Sequence, residues 1–229
     1  QVMERVPQDK ITMLPGPPAI YQTILNHPDL ETFDMTTLRL AVTGAAAIPV
    51  EMIIQMRERL GFEKIVTGYG LTEGSGLATM CRHDDDPETI AKTSGRAMPG
   101  IEIRIVDDNG TELERGQPGE ITVNGYNIMV GYLDDPDQTS ETITENGWLL
   151  TGDIGVMDND GNIAITDRKK DMYINGGFNV YPAEVESIIL QHPQIGQVSV
   201  VGVPDERMGE VGFAFIVPTS GVTPEPDEI

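Results

Sequence analysis

The chain has 229 residues with 15 basic and 37 acidic side chains, giving a formal net charge of −22, and this length accommodates one or two domains. Such acidity argues against broad binding to nucleic acids or anionic membranes, whose phosphates would be repelled, but it is compatible with one phosphate-bearing ligand in a local pocket. No apolar stretch approaches the roughly 18 residues that span a bilayer, and the single cysteine, Cys81, cannot form an internal disulfide, so we expect a cytoplasmic protein.

The first hundred residues indicate an α/β unit. We predict a strand at 10–14, a helix at 19–25, a strand at 38–43, a helix from Pro49 to Leu60 and a strand at 65–67. A strand, a helix and a second strand within about 30 residues form a βαβ unit, in which the two strands are parallel.

The pattern changes near Ile101 to short segments separated by Asp, Asn and Gly turns, which predict antiparallel strands at 101–106, 119–123, 148–150, 155–157 and 162–166. A third region begins near Asp171. There we predict a helix that starts at Tyr181-Pro182, with Val185, Ile188 and Ile189 on its apolar face, and strands at 197–203 and 212–217. The expected domains are therefore 1–100, 101–169 and 170–229.

The segment Gly68-Tyr69-Gly70-Leu71-Thr72-Glu73 directly follows a predicted strand. Glycines at 68 and 70 would let the backbone approach a ligand closely, and the ring of Tyr69 could stack on it. Thr72 offers a hydroxyl to a phosphate, and Glu73 offers the hard oxygen that Mg²⁺ prefers. The alternative is a tight turn with a buried tyrosine.

Three further segments have both a functional and a purely structural interpretation. Asp153, after a glycine at a strand end, could accept both hydroxyls of a ribose or form an Asx turn. The charged run 167–171 could place Arg168 against a nucleotide or be a solvated connector. The pair Gly176-Gly177 could let a thin ligand pass the backbone or form a hairpin turn.

Other catalytic patterns are absent from the sequence, which has no zinc-type cysteine spacing, no GxSxG elbow and no GxxxxGK[ST] loop. By itself, the stretch from Gly119 to Thr139, including Gly131-Tyr132, indicates only loops and turns.

Taken together, these segments resemble the adenylate-forming superfamily, which includes acyl-CoA ligases, luciferases and carrier-protein adenylation domains. The matching elements, in order, are GYGLTE, GE…G…GY…P…T, TGD, DRKKD and GGFNVYPAEVE. The resemblance extends over essentially the whole chain. It implies an α/β fold: part of a large N-terminal domain, with a βαβ sheet and a small β subdomain, followed by the start of an α+β C-terminal domain.

The resemblance also implies roles for individual residues towards ATP or AMP, CoA and Mg²⁺. Thr72 and Glu73 would be the catalytic contacts to phosphate and Mg²⁺, with Glu73 as the metal ligand. Asp153 and Arg168 would hold the ribose, and Lys170 would be the hinge between domains. The remaining positions are the adenine-lining turn Gly44, Ala45 and Ala46, the stacking Tyr69 between Gly68 and Gly70, the acyl-pocket residues Gly76 and Leu77, and the pantetheine loop Gly176 and Gly177.

Within the superfamily, Leu71 and the segment 179–186 resemble acyl-CoA ligases more than peptide-synthetase adenylation domains. The sequence is similar to ligases of medium-chain, fatty or ring-bearing acids, including those of steroid breakdown in actinobacteria. The implied reaction converts a carboxylic acid, ATP and CoA into acyl-CoA, AMP and pyrophosphate through an acyl-adenylate. The alternatives are a carrier-protein adenylation domain and a non-catalytic nucleotide-binding module.

Two elements of the family pattern are not found in the sequence: the Ser/Thr/Gly-rich phosphate loop and the C-terminal catalytic lysine. We therefore expect a fragment of a longer enzyme that is inactive by itself. An exposed sheet edge at its start would favour association, so a homo-oligomer is possible.

Overall fold

The computed structural model describes residues 1–44 and 48–219, and three β-sheets organise this part of the chain. The first sheet has five strands in the order β1-β2-β3-β4-β5, with β1, β2 and β3 parallel and the last two antiparallel. Its strands are β1 (Met13–Pro15), β2 (Leu40–Gly44), β3 (Lys64–Tyr69), β4 (Thr79–Met80) and β5 (Arg96–Ala97). Its helices are α1 (Val2–Asp9), α2 (Pro18–Leu25), α3 (Val50–Leu60) and α4 (Pro87–Lys92).

The predicted βαβ unit is confirmed as β2-α3-β3, in which Leu40 pairs with Lys64 in parallel register. Pro49 precedes the first turn of α3, and Gly61 ends the helix in the left-handed conformation with φ 76°, which a glycine adopts without a Cβ penalty. The buried side chains of α3 are Met52, Ile53, Met56 and Leu60, spaced so that they lie on one face. They pack in the core of this sheet with residues such as Phe62 and Ile65.

The start of the chain departs from the prediction. Residues 2–9 form α1 despite Pro7, and Lys10 ends this helix in the left-handed conformation with φ 51° instead of beginning a strand. The strand expected at 10–14 therefore begins only at Met13. β1 lies at one edge of the first sheet; association of copies through this edge stays a prediction.

The second sheet is an antiparallel meander of β6 (Ile101–Val106), β7 (Pro118–Gly125), β8 (Leu149–Met157) and β9 (Ile163–Arg168), with α5 (Pro136–Thr142) between β7 and β8. The two strands expected at 148–150 and 155–157 are one strand, so that prediction is wrong. Instead, the pairing of β8 with β9 changes register between Ile154 and Gly155. A Cβ at Gly155 would lie 2.8 Å from the Ala164 carbonyl oxygen, so the irregular strand needs glycine there.

The third sheet is antiparallel, in the order β11-β10-β13-β12. It contains β10 (Tyr173–Asn175), β11 (Phe178–Val180), β12 (Ile195–Asp205) and β13 (Gly209–Pro218), and α6 (Pro182–Ile189) precedes β12. The helix begins where the sequence predicts, but its expected apolar face is only partly correct. Val185 and Ile189 are half-buried, whereas Ile188 is 68% exposed. Instead, Pro182 is buried and Glu186 accepts a hydrogen bond from the Val200 amide at 2.7 Å.

The observed architecture confirms the α/β class. The three sheets follow one another along the chain within the predicted ranges 1–100, 101–169 and 170–229. As domain boundaries, these ranges stay a prediction. Within residues 1–44 and 48–219, no helix has the length and apolar character needed to cross a membrane.

Candidate functional site

A cleft of about 1320 Å³ lies where the parallel strands β2 and β3 end, and residues from all three sheets line it. The carboxyl ends of parallel strands are the usual ligand-binding edge of α/β sheets. Nine of the predicted site residues line this cleft: Gly44, Gly68, Tyr69, Gly70, Thr72, Glu73, Asp153, Arg168 and Lys170. Gly76 and Leu77 line it as well.

Four predicted site residues are not placed there. Ala45 and Ala46 lie outside the described residues. Gly176 and Gly177 are not among the described residues that line the cleft; they form the two-residue turn between β10 and β11, with φ 58° and 90°. This is the hairpin-turn alternative, and the role of this pair towards CoA stays a prediction.

Tyr69 ends β3 and joins the first sheet to the second. Its hydroxyl donates to Asp153 Oδ2 at 2.6 Å, and its ring, only 8% exposed, packs in the core of the second sheet. Burial raises the pKa of the Tyr69 phenol, and the hydrogen bond to Asp153 raises it further. Tyr69 therefore keeps its proton and remains a donor to the Asp153 carboxylate.

Asp153 and Arg168 face each other across β8 and β9, where they are paired in register. The Arg168 Nε lies 3.4 Å from Asp153 Oδ1, and the side chains are 61% and 14% exposed respectively. Each carboxylate oxygen thus has one protein partner and can accept another hydrogen bond. The carboxylate is oriented from two sides and still open to a ligand in the cleft.

Glu120, a buried glutamate of the GE element to which the sequence assigned no individual role, holds the backbone beside Asp153. Glu120 is 8% exposed; its Oε1 accepts from the Gly152 amide and its Oε2 from Lys169 Nζ, both at 3.0 Å. The hydrogen bond to Glu120 raises the pKa of Lys169. The Lys169 amide also donates to the Gly152 carbonyl at 2.7 Å. The available signal was that Glu120 is the one charged residue of strand β7.

The run 167–171 is not simply a solvated connector. Asp167 and Arg168 belong to β9, and Asp167 is only 9% exposed. One of its oxygens accepts from the Arg168 amide at 2.6 Å and the other from the Ala183 amide, in the first turn of α6, at 2.9 Å. The exposed turn begins only after this strand, and Lys170 lies in it.

Thr72 and Glu73 lie in a short 3₁₀ turn that spans Thr72–Gly74. Gly70 is required just before it, because a Cβ at that position would lie 2.2 Å from the Gly76 carbonyl oxygen. Gly70 is thus needed for close packing of the backbone, whereas the sequence suggested that it lets the backbone approach a ligand. Glu73 Oε1 accepts a hydrogen bond from the Tyr132 hydroxyl at 2.9 Å, and this bond raises the pKa of Tyr132.

The chemistry of the cleft fits Mg²⁺ bound together with a substrate. Among the described residues, no group of three or more His, Cys, Asp or Glu could hold a metal ion. Mg²⁺ usually keeps several waters and uses one or two carboxylates plus phosphate oxygens, so the Thr72 hydroxyl and the Glu73 carboxylate are suitable donors. The described cleft lining carries six acidic side chains, Glu73, Asp153, Asp167, Asp171, Glu186 and Glu210, and three basic ones, Lys92, Arg168 and Lys170. A polyphosphate entering this excess of negative charge would benefit from an accompanying cation.

Comparisons with known proteins identify relatives of this chain. The family profile described as "AMP-binding enzyme" matches residues 1–133, and that described as "AMP-binding enzyme C-terminal domain" matches residues 184–229. The 3-[(3aS,4S,7aS)-7a-methyl-1,5-dioxo-octahydro-1H-inden-4-yl]propanoyl:CoA ligase of Rhodococcus jostii is 52% identical over 229 residues, which cover 100% of this chain and 42% of that protein. The mitochondrial medium-chain acyl-CoA ligase ACSF2 of Mus musculus is 40% identical, over 100% of this chain and 37% of its own length. The chain thus spans about two fifths of the length of these curated relatives.

Solved structures give the same result. The amide bond synthetase McbA from Marinactinospora thermotolerans superimposes with a TM-score of 0.86 at 34% identity, over 99% of this chain and 46% of that chain. ATP-bound MatB from Rhodopseudomonas palustris gives a TM-score of 0.86 at 33% identity, over 98% of this chain and 44% of its own. Profile, sequence and structure agree that the chain belongs to the family of AMP-binding enzymes.

Proposed function

We propose that the protein acts as an ATP-dependent acyl-CoA ligase. In the first step a carboxylate attacks the α-phosphate of ATP, forming an acyl-adenylate and releasing pyrophosphate. In the second step the thiol of CoA attacks the acyl carbon, giving acyl-CoA and AMP. The observation that carries the proposal is that Asp153, which is 84 residues from Tyr69 in sequence, lines one cleft with Tyr69 and the Thr72-Glu73 turn. The relatives named as CoA ligases support CoA as the acceptor.

Asp153 would hold the nucleotide by accepting hydrogen bonds from the ribose hydroxyls. Tyr69 and Arg168 each engage one of its oxygens, so the carboxylate is oriented before ATP binds. Such pre-orientation reduces the entropy that binding must otherwise overcome. Hydrogen bonds to a charged acceptor are also stronger than neutral ones.

Thr72 and Glu73 would hold Mg²⁺ against the phosphates of ATP. When bound, Mg²⁺ would supply positive charge that offsets the charge on the phosphates and the pyrophosphate leaving group. The contribution of the chain is orientation: the 3₁₀ turn presents the Thr72 hydroxyl beside Glu73, and Tyr132 engages one carboxylate oxygen of Glu73. Lys170 as the hinge and Gly176-Gly177 as the pantetheine loop complete the proposal.

For the acid, we favour a propanoate side chain on a fused ring system. The support is the ligase of Rhodococcus jostii, whose name describes such an acyl group and whose identity to this chain is 52%. Relatives named for medium-chain acids and for 4-coumarate are 40% and 39% identical. We place the reaction in the cytoplasm, on the ground that the one cysteine, Cys81, is buried and unpaired.

The experiment uses the full-length gene product with ATP, Mg²⁺, CoA and three acids: the indane-type propanoate, octanoate and 4-coumarate. Pyrophosphate release and acyl-CoA formation are measured separately, with the Asp153→Ala variant as the control. We expect both products, fastest with the ring-bearing acid and strongly reduced in the variant. Pyrophosphate release without transfer to CoA would indicate a carrier-protein adenylation domain. ATP binding without pyrophosphate release would indicate a non-catalytic module.

A further inference from the structure

The loop at residues 127–132, which follows β7 and which we call the support loop, contacts the Thr72-Glu73 turn and the two residues that follow it. The Met129 amide donates to the Glu73 carbonyl at 2.8 Å, and Ser75 Oγ donates to the Asn127 carbonyl at 2.7 Å. The side-chain amide (Nδ2) of the buried Asn127 donates to the Gly74 carbonyl at 2.9 Å. The backbone of the turn is therefore held by a loop more than 50 residues away in sequence.

The last residue of the support loop contacts the side chain of the turn. The Tyr132 hydroxyl donates to Glu73 Oε1 at 2.9 Å. Tyr132 is itself anchored, because its amide donates to Thr139 Oγ1 at 2.9 Å. Thr139 lies in α5, whose first turn is capped by the Asp135 side chain. The backbone of Tyr132 is thus held by Thr139 of the capped helix α5, and its hydroxyl is directed at Glu73.

This contact is suited to orientation more than to stability. Glu73 and Tyr132 are only half-buried, and a hydrogen bond that competes with water contributes little to the free energy of folding. A glutamate side chain, however, has several rotatable bonds whose freedom is lost when it binds a ligand. A phenol fixed beside one oxygen restricts those rotations and leaves the second oxygen for the ligand.

We propose that Tyr132 is a positioning residue that orients the Glu73 carboxylate for the magnesium–phosphate group of ATP. The inference rests on the proposed function, in which Glu73 contacts Mg²⁺. The chain offers a matched control in Tyr126, which lies just before the support loop and is 79% exposed. Substitution by phenylalanine removes the same hydroxyl at both positions.

The test measures pyrophosphate release by the full-length gene product as a function of Mg²⁺ concentration, at saturating ATP and acid. For Tyr132→Phe we expect the half-saturating Mg²⁺ concentration to rise about three- to tenfold, the ratio that corresponds to one ordinary hydrogen bond. The KM for the acid and the thermal midpoint should not change. Tyr126→Phe should behave as the unaltered protein. In a Glu73→Gln background, adding Tyr132→Phe should have no further effect.

The outcomes separate this inference from the proposed function. If Glu73→Gln raises the Mg²⁺ requirement while Tyr132→Phe leaves it unchanged, the positioning role of Tyr132 is wrong and the role of Glu73 stands. If Tyr132→Phe lowers the thermal midpoint and raises the KM for Mg²⁺ and acid alike, its role is structural and the inference is also overturned. If Glu73→Gln itself leaves the Mg²⁺ dependence unchanged, the proposed role of Glu73 fails, and the inference fails with it.

Discussion

Replacing Asp153 by alanine would separate the structural from the ligand-binding role of this carboxylate. The change leaves the Tyr69 hydroxyl, on a residue that is 8% exposed, without its acceptor. Loss of a partner for such a buried donor costs about 1–3 kcal/mol. Arg168 is 61% exposed and regains water, so its lost ion pair adds only about 0–1 kcal/mol. We therefore expect the free energy of unfolding to fall by about 1–4 kcal/mol, mainly through Tyr69.

The effect on ATP binding should be larger and of a different origin. Two ribose hydroxyls lose a charged acceptor, and each such hydrogen bond contributes about 1.5–3 kcal/mol, with less than full additivity. We expect ATP binding to weaken by about 2–4 kcal/mol, or roughly 30- to 700-fold in Kd. Calorimetric titration of the full-length gene product with ATP measures this change directly.

Tyr69→Phe is the matched control, because it removes the same hydrogen bond and keeps the carboxylate. It should reduce stability while leaving most of the ATP affinity. Unchanged ATP affinity in Asp153→Ala would refute the assignment of Asp153 to the ribose. If the two variants lose the same affinity, Asp153 acts only through Tyr69.

Three further predictions concern other parts of the molecule. Asn127→Ala removes the amide that donates to the Gly74 and Leu77 carbonyls, so the free energy of unfolding should fall by about 1–3 kcal/mol; an unchanged urea midpoint would contradict this. Lys170→Pro fixes φ in the exposed turn after β9, so it should slow acyl transfer to CoA far more than pyrophosphate release. Lys170→Ala should leave the rates of both steps unchanged. Equal loss of the two steps in the proline variant would mean that Lys170 is not the hinge. Burial raises the pKa of Tyr21 to about 12, whereas in the unfolded chain this phenol loses its proton near pH 10. The contribution of the protonated Tyr21 to stability is therefore complete below pH 10 and is lost as the pH rises towards 12, by at most about 1.4 kcal/mol per pH unit. Denaturation curves across this range should show a shallower loss in Tyr21→Phe, and identical slopes would argue against the assignment.

The elements that the sequence predicts well are those whose determinants are local. Pro49 before the first turn of α3 and Gly61 after its last turn mark that helix, and the apolar runs on either side mark β2 and β3. The motif residues around Tyr69 and Asp153 were recognisable because each segment carries its own pattern of glycine and acidic residues. Their presence in one cleft agrees with the family resemblance, whereas their individual roles remain proposals.

What the sequence could not provide is the partner of each side chain. Tyr69 and Asp153 are 84 residues apart and Tyr132 and Glu73 are 59 apart, so neither pair follows from local spacing. The placement of Ile188 on the buried face of α6 was wrong for the same reason. The helix presents Glu186 to a backbone amide of β12 and leaves Ile188 in solvent, an arrangement that depends on a strand formed later in the chain.

The hydrogen bonds of Lys169 limit where a hinge between the second and third sheets could lie. Both the amide and the ammonium group of Lys169 are fastened to the second sheet, through Gly152 and Glu120. A pivot can therefore lie no earlier than Lys170. Asp167, which lies three residues before Lys170, accepts a hydrogen bond from the Ala183 amide of α6 at 2.9 Å. Rotation about Lys170 would break this bond and leave the buried Asp167 carboxylate without one of its partners. If the segment after Lys170 rotates as proposed, the Asp167–Ala183 hydrogen bond must break first, and Asp167 would then become accessible from the cleft that it lines.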